Sequence, residues 1–262
     1  MKVVLFCGGL GMRLRGYSDK TPKPMVEVGH RPILWHVMKY YASFGHRDFI
    51  LCLGYKADFI KEYFINYSEY VTNDFVLTDG GRNVSLLSSD IQDWRITFVD
   101  TGYTSCIGER LQAVRPHLEG EEMFLANYSD NVTDFQLPPL IDRMGKEDAV
   151  ASFVAVRPPH SFHVVSINGD DQVHRIEETA TADLWINGGY FVLKQEIFDY
   201  MRPGEELVLE PFQRLIEAKK LLGVKYTGFW KNMDTYKDKM ELDEMHGRGE
   251  APWEIWKDSK ES

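Results

Sequence analysis

The chain has 262 residues, of which 44% are hydrophobic and 27% are charged. This size and composition are sufficient for a full hydrophobic core and are typical of one α/β domain, with room for a small appendage. Thirty basic and forty acidic residues give a formal net charge of -10. That charge argues against non-specific binding to nucleic acids or anionic membranes, which require a cationic face, but it is compatible with a small phosphorylated ligand held by local cations.

The N-terminus combines an apolar run with a glycine-rich segment. Residues 3–6 predict a strand that leads directly into a loop where backbone N–H groups can approach a polyanion. Arg13 and Lys23 would supply positive charge, although a glycine-rich turn beside two solvated cations is the alternative. Leu14 does not fit a dinucleotide-binding fingerprint, and the Gly-Lys-Ser/Thr of a P-loop never occurs. The loop consists of Gly8, Gly9, Leu10, Gly11, Met12 and Arg13.

The first half of the chain alternates strand-like runs with helical periodicity, which predicts βαβ units and a mostly parallel sheet. Residues 32–45 show this best, because apolar side chains recur there at helical spacing. The other predicted helices are 57–64 and 108–117, and the other predicted strands are 49–53, 95–99 and 123–128.

Residues 67–93 interrupt this pattern and predict a long insert with a hairpin or short strands, of the kind that often carries function or an interface. The second half is richer in strands. We predict strands at 149–156, 163–167, 173–176 and 190–193, and helices at 195–201 and 209–221. The domain would span residues 1–246, followed by a tail, 247–262, whose Trp253 and Trp256 would dock on the domain or on a neighbouring subunit.

The three cysteines are odd in number and have no metal-ligand spacing. Cys7 and Cys52 lie in strand-like apolar runs, so we expect buried, reduced thiols; the third cysteine is Cys106. No signal-peptide pattern or run long enough to span a bilayer occurs, and we therefore expect a cytoplasmic location.

Two aspartates follow predicted strands. Asp130 comes after residues 123–128, and Asp234 comes shortly after the aromatic pair 229–230. Side chains at such positions face ligands at the carboxyl edge of a parallel sheet. Either aspartate alone could simply cap a helix. Together, in a chain with a polyphosphate loop, they indicate a divalent metal site, and Mg²⁺ suits two carboxylates completed by phosphate oxygens and water.

Gly-Gly-x-Gly-x-Arg followed by Pro-Lys-Pro resembles the signature of sugar-1-phosphate nucleotidyltransferases, which join a nucleoside triphosphate to a sugar 1-phosphate and release pyrophosphate. The similarity extends over nearly the whole chain and is greatest to the glucose-1-phosphate cytidylyltransferase subgroup. The segments that carry it include Val99-Asp100-Thr101-Gly102, Asn187-Gly188-Gly189, Met233-Asp234-Thr235 and Ala251-Pro252-Trp253.

This resemblance implies a Rossmann-like α/β fold of the nucleotide-diphospho-sugar transferase type, with a small strand-rich insert and a C-terminal extension. It implies CTP and a hexose 1-phosphate as substrates and agrees with Mg²⁺ as cofactor, while the aromatic tail and the long insert favour a homo-oligomer. Residues 157–190 would form the sugar-binding half, with Asn187 and Gly188 at the edge that recognises the sugar. Lys23 would contact the α-phosphate, and Asp130 and Asp234 would hold the metal. Further nucleotide contacts would come from the loop and from Thr104, Ser105, Arg110 and Ser129.

Three positions depart from that subgroup. The threonine usual in the loop is replaced by Met12, and the usual Gly-Asp-Gly around the first metal ligand is replaced by Ser129-Asp130-Asn131. The lysine that grips the sugar phosphate corresponds to Glu178 or Thr179, depending on a one-residue gap. Either Glu178 points away from the sugar phosphate or another cation replaces the lysine. Among the candidates Arg157 and His163 we favour Arg157, because a guanidinium binds phosphate bidentately.

The reaction these residues support is in-line attack by an anionic phosphate oxygen on the α-phosphorus. It requires no protein nucleophile or general base, so positioning and electrostatics would carry the rate. Two alternatives stay open. The chain could use UTP or dTTP with another sugar 1-phosphate, or it could be a non-catalytic nucleotide or nucleotide-sugar binding subunit, which the missing lysine would permit.

Overall fold

The structure, a computed structural model, describes residues 1–9, 21–158, 163–179 and 182–257. Its strands are β1 (Lys2–Phe6), β2 (Glu27–Val28), β3 (Arg31–Pro32), β4 (Asp48–Leu53), β5 (Phe75–Thr78), β6 (Asn83–Leu86), β7 (Arg95–Asp100), β8 (Met123–Asn127), β9 (Asn131–Thr133), β10 (Ala151–Val156), β11 (His163–Ile167), β12 (Val173–Glu178), β13 (Ile186–Lys194), β14 (Leu221–Tyr226) and β15 (Trp230–Asn232). Its α-helices are α1 (Ile33–Ser43), α2 (Ala57–Ile65), α3 (Glu69–Thr72), α4 (Ile107–Val114), α5 (Pro138–Lys146), α6 (Glu210–Glu217) and α7 (Tyr236–Gly247).

Seven strands form one central sheet in the order β14-β10-β13-β8-β1-β4-β7. All neighbouring pairs are parallel except those made by β13, which runs antiparallel to both β8 and β10. The prediction of an α/β fold with a mostly parallel sheet is confirmed. Because β8, β1, β4 and β7 are parallel, their carboxyl ends lie at one edge, where the loops that follow them meet.

Helices cover both faces of the sheet. In β1, Val3 and Leu5 pack into a core with α1, whereas Val4 and Phe6 pack into a second core with α4. This alternation is the period-2 pattern of a strand that is buried on both faces, which explains why the run reads as continuously apolar. Both Cys7 and Cys52 are buried free thiols, as predicted.

Two parts of the second half differ from the sequence-based prediction. The helix predicted at 209–221 is wrong at its end: α6 stops at Glu217, and Leu221 begins the edge strand β14. Lys219 lies between them with a φ of 58°, a left-handed conformation that ends a helix. The residues predicted as a helix at 195–201 form a 3₁₀ helix, Gln195–Tyr200.

Two hairpins lie outside the central sheet. Strands β5 and β6 pair within residues 67–93, and β11 pairs with β12. The segment that carries β5 and β6 is attached to the domain by a buried ion pair between Arg31 and Asp90, which Tyr67 also contacts. No helix among the described residues is long and apolar enough to cross a bilayer.

The C-terminal residues before 258 pack against the domain itself. Trp253 is buried, stacks on Phe229 and donates a hydrogen bond from Nε1 to His36 Nδ1 at 3.2 Å. Trp256 packs edge-on against Trp35. Of the two sites predicted for these tryptophans, the structure shows the one on their own domain.

Candidate active site

A short two-stranded ladder brings the two predicted metal ligands together. Strands β9 and β15 pair antiparallel, with Asn131 opposite Asn232. Just beyond this pair, the Met233 N–H donates to the Asp130 carbonyl at 2.9 Å. Asp130 and Asp234, which flank the ladder, are therefore held side by side although 104 positions separate them in the sequence.

Lys23 joins the two carboxylates. It begins a 3₁₀ turn, Lys23–Met25, between Pro22 and Pro24, and its ammonium donates to Asp130 Oδ2 at 2.7 Å and also to Asp234 Oδ1. Burial by itself would lower the pKa of Lys23, but its charge interactions and hydrogen bonds with the two carboxylates outweigh burial and raise that pKa. The lysine is therefore a cation at neutral pH.

The donor set around this lysine suits a hard divalent cation. One oxygen of each carboxylate contacts the same nitrogen atom, so the two carboxylates already share one cationic partner. The Oδ1 atoms of Asn131 and Asn232 are buried and accept no hydrogen bond within the described part of the chain. No cluster of three or more His, Cys, Asp or Glu residues suited to a metal occurs in that part. Two carboxylates completed by phosphate and water are a sufficient set for a metal that binds with its substrate.

The glycine-rich loop begins next to these groups. Of its predicted residues, the buried Gly8 and the exposed Gly9 are described, whereas Leu10, Gly11, Met12 and Arg13 lie outside the described residues. Gly8 permits a close approach, since a Cβ there would lie 2.1 Å from Nη1 of Arg110.

Arg110 lies beneath the loop. Its side chain is 3% exposed, and its guanidinium donates to the carbonyl groups of Gly8, Leu53 and Gly102 at 3.0–3.2 Å and to Thr101 Oγ1 at 2.8 Å. It thus connects the ends of β1, β4 and β7. The nucleotide contact implied by the resemblance stays a prediction.

The other predicted nucleotide-binding residues lie at the same sheet edge. Thr104 is exposed, and the half-buried Ser105 donates to the Thr101 carbonyl at 2.6 Å. Ser129 is fully buried, and its hydroxyl donates to the Phe6 carbonyl at 2.8 Å, which joins the end of β8 to β1.

The predicted sugar-binding edge starts at β13. Asn187 donates from Nδ2 to the Tyr128 hydroxyl at 3.0 Å and accepts from the Gly189 N–H at 2.9 Å. The Gly188 carbonyl accepts a hydrogen bond from Trp230 Nε1 at 2.8 Å. Since Tyr128 lies two positions before Asp130, this edge and the carboxylate pair are neighbours in the fold.

The candidate replacements for the missing lysine lie near the end of β12. Arg157 donates to the Ala182 carbonyl at 2.7 Å and its guanidinium lies over the Trp185 ring. His163 is exposed and pairs with Glu178 across the β11–β12 hairpin. Thr179 is 3% exposed. Of the two positions that could correspond to the lysine, only Glu178 is therefore exposed.

Sequence reasoning missed the polar residues that support the carboxylates. Asn131 Nδ2 lies 3.3 Å from Asp130 Oδ1, and Asn232 Nδ2 donates to Asp234 Oδ2 at 2.6 Å. Their positions, one residue after and two residues before an aspartate, were the available signal. The Tyr128 hydroxyl, which contacts Asn187, was missed because its partner comes from a distant strand.

Comparison with known proteins gives the class of protein in which this arrangement occurs. Residues 2–244 match the Nucleotidyl transferase family, and the chain belongs to that family. The glucose-1-phosphate cytidylyltransferases of Salmonella typhimurium and Salmonella typhi are each 37% identical to it over 258 residues, covering 98% of this chain and 100% of theirs. The crystal structure of HddC from Yersinia pseudotuberculosis has the same fold, with a TM-score of 0.63, 20% identity, and coverage of 94% of this chain and 99% of that one.

Proposed function

We propose that this nucleotidyltransferase transfers a cytidylyl group from CTP to a hexose 1-phosphate such as glucose 1-phosphate, with Mg²⁺ as cofactor. The observation that carries the proposal is the meeting of Lys23, Asp130 and Asp234 at the sheet edge where the glycine-rich loop begins. The end-to-end similarity to two cytidylyltransferases supports the choice of CTP and of glucose 1-phosphate.

The proposed chemistry depends on positioning and charge. Asp130 and Asp234 would hold Mg²⁺, which when bound neutralises phosphate charge. Lys23 would bind the α-phosphate, and Arg13 would add a second cation. The sugar phosphate is already an anionic nucleophile, so no protein base has to take a proton. The Asn187-Gly188 edge would orient the sugar, and the Tyr128 hydroxyl connects this edge to the segment that carries Asp130.

We propose Arg157 as the cation that holds the sugar phosphate. Its contacts with Ala182 and Trp185 place it beside the segment that would otherwise carry the lysine. A guanidinium is a planar cation that can bind a phosphate through two N–H groups, which a lysine cannot do. His163 is the second candidate.

The assembly and the location belong to the same proposal. A homo-oligomer is supported by apolar side chains that both hairpins leave exposed. A cytoplasmic location is supported by three cysteines that form no disulfide.

A pyrophosphate-release assay tests this function. The full chain with Mg²⁺ would be offered CTP, UTP, dTTP and GTP, each with several sugar 1-phosphates. We expect turnover to be fastest with CTP. Faster turnover with UTP or dTTP would instead support an enzyme that uses one of those two nucleotides. Nucleotide binding without any turnover would support a non-catalytic binding subunit.

Three variants test the proposed site residues in this assay, and a fourth is the control. Asp130→Asn and Asp234→Asn should each lower kcat by about a hundredfold or more, because each removes a charged metal ligand. Asp148→Asn alters a carboxylate that is 92% exposed and should leave kcat unchanged. Arg157→Ala should raise the KM for the sugar phosphate and leave the KM for the nucleotide unaltered.

A further inference from the structure

The ammonium group of Lys23 contacts both carboxylates that would bind the metal. One oxygen of Asp130 and one of Asp234 contact its ammonium, and the second oxygen of each lies beside an asparagine amide. The three side chains are only 13%, 24% and 27% exposed. A divalent cation can reach the facing oxygens only if the ammonium moves.

Charge decides when that exchange is favourable. One ammonium and two carboxylates carry a net charge of about -1, so the cluster is nearly neutralised as it stands. If a divalent cation entered while the ammonium stayed close, two cations would be held within a few ångströms of each other in a partly buried site. If the ammonium left without a new partner, it would lose two charged hydrogen bonds.

A nucleoside triphosphate removes this conflict. Its phosphates carry several negative charges and would approach from the glycine-rich loop, which begins at Gly8. The ammonium can then exchange its carboxylate partners for phosphate oxygens, and the metal can bind the freed carboxylates together with those same phosphates. Both cations keep anionic ligands throughout.

We propose that Lys23 is a reversible block on the metal ligands: it closes the Asp130–Asp234 pair in the free protein, and bound triphosphate draws it away. Divalent metal binding at this pair is thus conditional on nucleotide, and Lys23 is the residue that makes it so. The proposal rests on the proposed function only for the identity of the ligand that releases the lysine.

The test measures binding of Mn²⁺, as a paramagnetic probe, to the full chain without nucleotide or sugar. Lys23→Met keeps the length of the side chain and removes the charge. We expect this variant to bind one Mn²⁺ about tenfold or more tightly than the wild type, because a neighbouring like charge has been removed. The gain should vanish in Lys23→Met/Asp130→Asn, and Lys23→Arg should behave like the wild type.

Lys231→Met is the matched control. Lys231 is 12% exposed and lies beside the carboxylates of Asp238 and Glu241. If loss of any lysine among acidic residues tightened Mn²⁺ binding equally, the proposal would be wrong. It would also be wrong if Lys23→Met bound Mn²⁺ within twofold of the wild type, or if the gain persisted without Asp130.

Thermal melting provides a second readout and shows whether each variant is folded. Mg²⁺ should raise the Tm of Lys23→Met, or of Lys23→Gln if the first variant is unstable, and should not raise that of the wild type. With CTP present, the factor by which nucleotide tightens Mn²⁺ binding should be about tenfold smaller in Lys23→Met. If only the measurement with CTP fails, the identity of the nucleotide is wrong. If the measurement without nucleotide fails, the proposal that Lys23 blocks the metal ligands is wrong.

Discussion

A single buried arginine organises the sheet edge at which the nucleotide is proposed to bind. The guanidinium of Arg110 donates to carbonyl groups at the ends of three strands, and its side chain is almost fully buried. Such a group has two possible roles, a ligand contact or an internal support for the loop. The observed hydrogen bonds favour the support, since both terminal nitrogens of the guanidinium donate to acceptors of the protein itself.

We predict that Arg110→Met destabilises the protein and weakens nucleotide binding together. The carbonyl groups of Gly8 and Gly102 would lose this donor, whereas the Leu53 carbonyl keeps the Thr101 N–H and hydroxyl donors. The loss should lower the free energy of unfolding by about 2–4 kcal/mol. The loop would then be less well placed, and the KM for the nucleotide should rise. Denaturant unfolding and steady-state kinetics measure the two effects. Arg95→Met, at a residue whose side chain is 74% exposed, is the control. Lost binding with unchanged stability would instead identify Arg110 as a direct ligand contact.

At the scale of elements, helix α1 holds the C-terminal segment through one histidine. His36 donates from Nε2 to the Val28 carbonyl at 3.0 Å and accepts from Trp253 at Nδ1, so it is neutral and in one tautomer. Burial lowers its pKa to about 3, and the nearby His246, Arg31 and His30 lower it as well, against the opposing hydrogen bond to Val28.

Stability should therefore decrease in acid through His36. The unfolded histidine takes up a proton below pH 6.5, whereas the folded one resists it until about pH 3. The folded state loses up to about 1.4 kcal/mol per pH unit within that window and loses nothing above it. We predict that His36→Gln flattens the decline of Tm between pH 7 and pH 5.

His46→Gln is the comparison for this experiment. Burial also lowers the pKa of His46, to about 4, but this residue makes no contact with Trp253 in the described structure. Both variants should flatten the curve, and only His36→Gln should disturb the packing of the C-terminal segment, seen as a change in tryptophan fluorescence at pH 7. Parallel Tm curves for the wild type and His36→Gln would contradict the prediction.

The sequence identified elements and residues that are determined locally. The run before Gly8, the lysine between two prolines and the aspartates after strands all carry short-range signals, and the structure brings Lys23, Asp130 and Asp234 into contact. The burial of Arg110 could not be predicted, because the sequence around an arginine on a helix does not show whether its side chain contacts a ligand or distant carbonyl groups.

The hydrophobic patterns of helix α7 and strand β14 do not identify these elements in the sequence. In α7 only Asp238 and Leu242 are buried, so the helix lacks the apolar stripe from which a helix is recognised. Strand β14 follows α6 after a short turn, and its apolar residues read as a continuation of the helix until pairing with β10 fixes them as a strand. In both cases tertiary contacts, which the local pattern does not contain, decide the structure.

At the scale of the whole molecule, the hairpins expose apolar faces. Residues opposite each other across strands share a face. In β5–β6 one face carries Phe75, Leu77, Val84 and Leu86, and in β11–β12 one face carries Val165, Ile167, Val173 and Ile176. Leu77 and Ile176 are 58% and 62% exposed. Two amphipathic hairpins with open apolar faces support the proposal that copies of the chain associate.

We predict that Leu77→Asp and Ile176→Asp shift the protein toward the single chain, because each places a charge in a face that association would bury. Size-exclusion chromatography with light scattering measures the mass. Ile216→Asp, on α6 and similarly exposed, is the control and should leave the mass unaltered. A wild-type protein that is monomeric at all concentrations would contradict the homo-oligomer.

The wide sequence separation of Lys23, Asp130 and Asp234 has a consequence for biosynthesis. Lys23 is 107 positions from Asp130 and 211 from Asp234, and contacts of such long range form late and slowly. A nascent chain still on the ribosome before Asp234 emerges would have one carboxylate and half of the β9–β15 ladder. Ligands that stabilise the native state would then act on it only once Asp234 has emerged, so a shortage of nucleotide would reduce the survival of folded chains without slowing their synthesis.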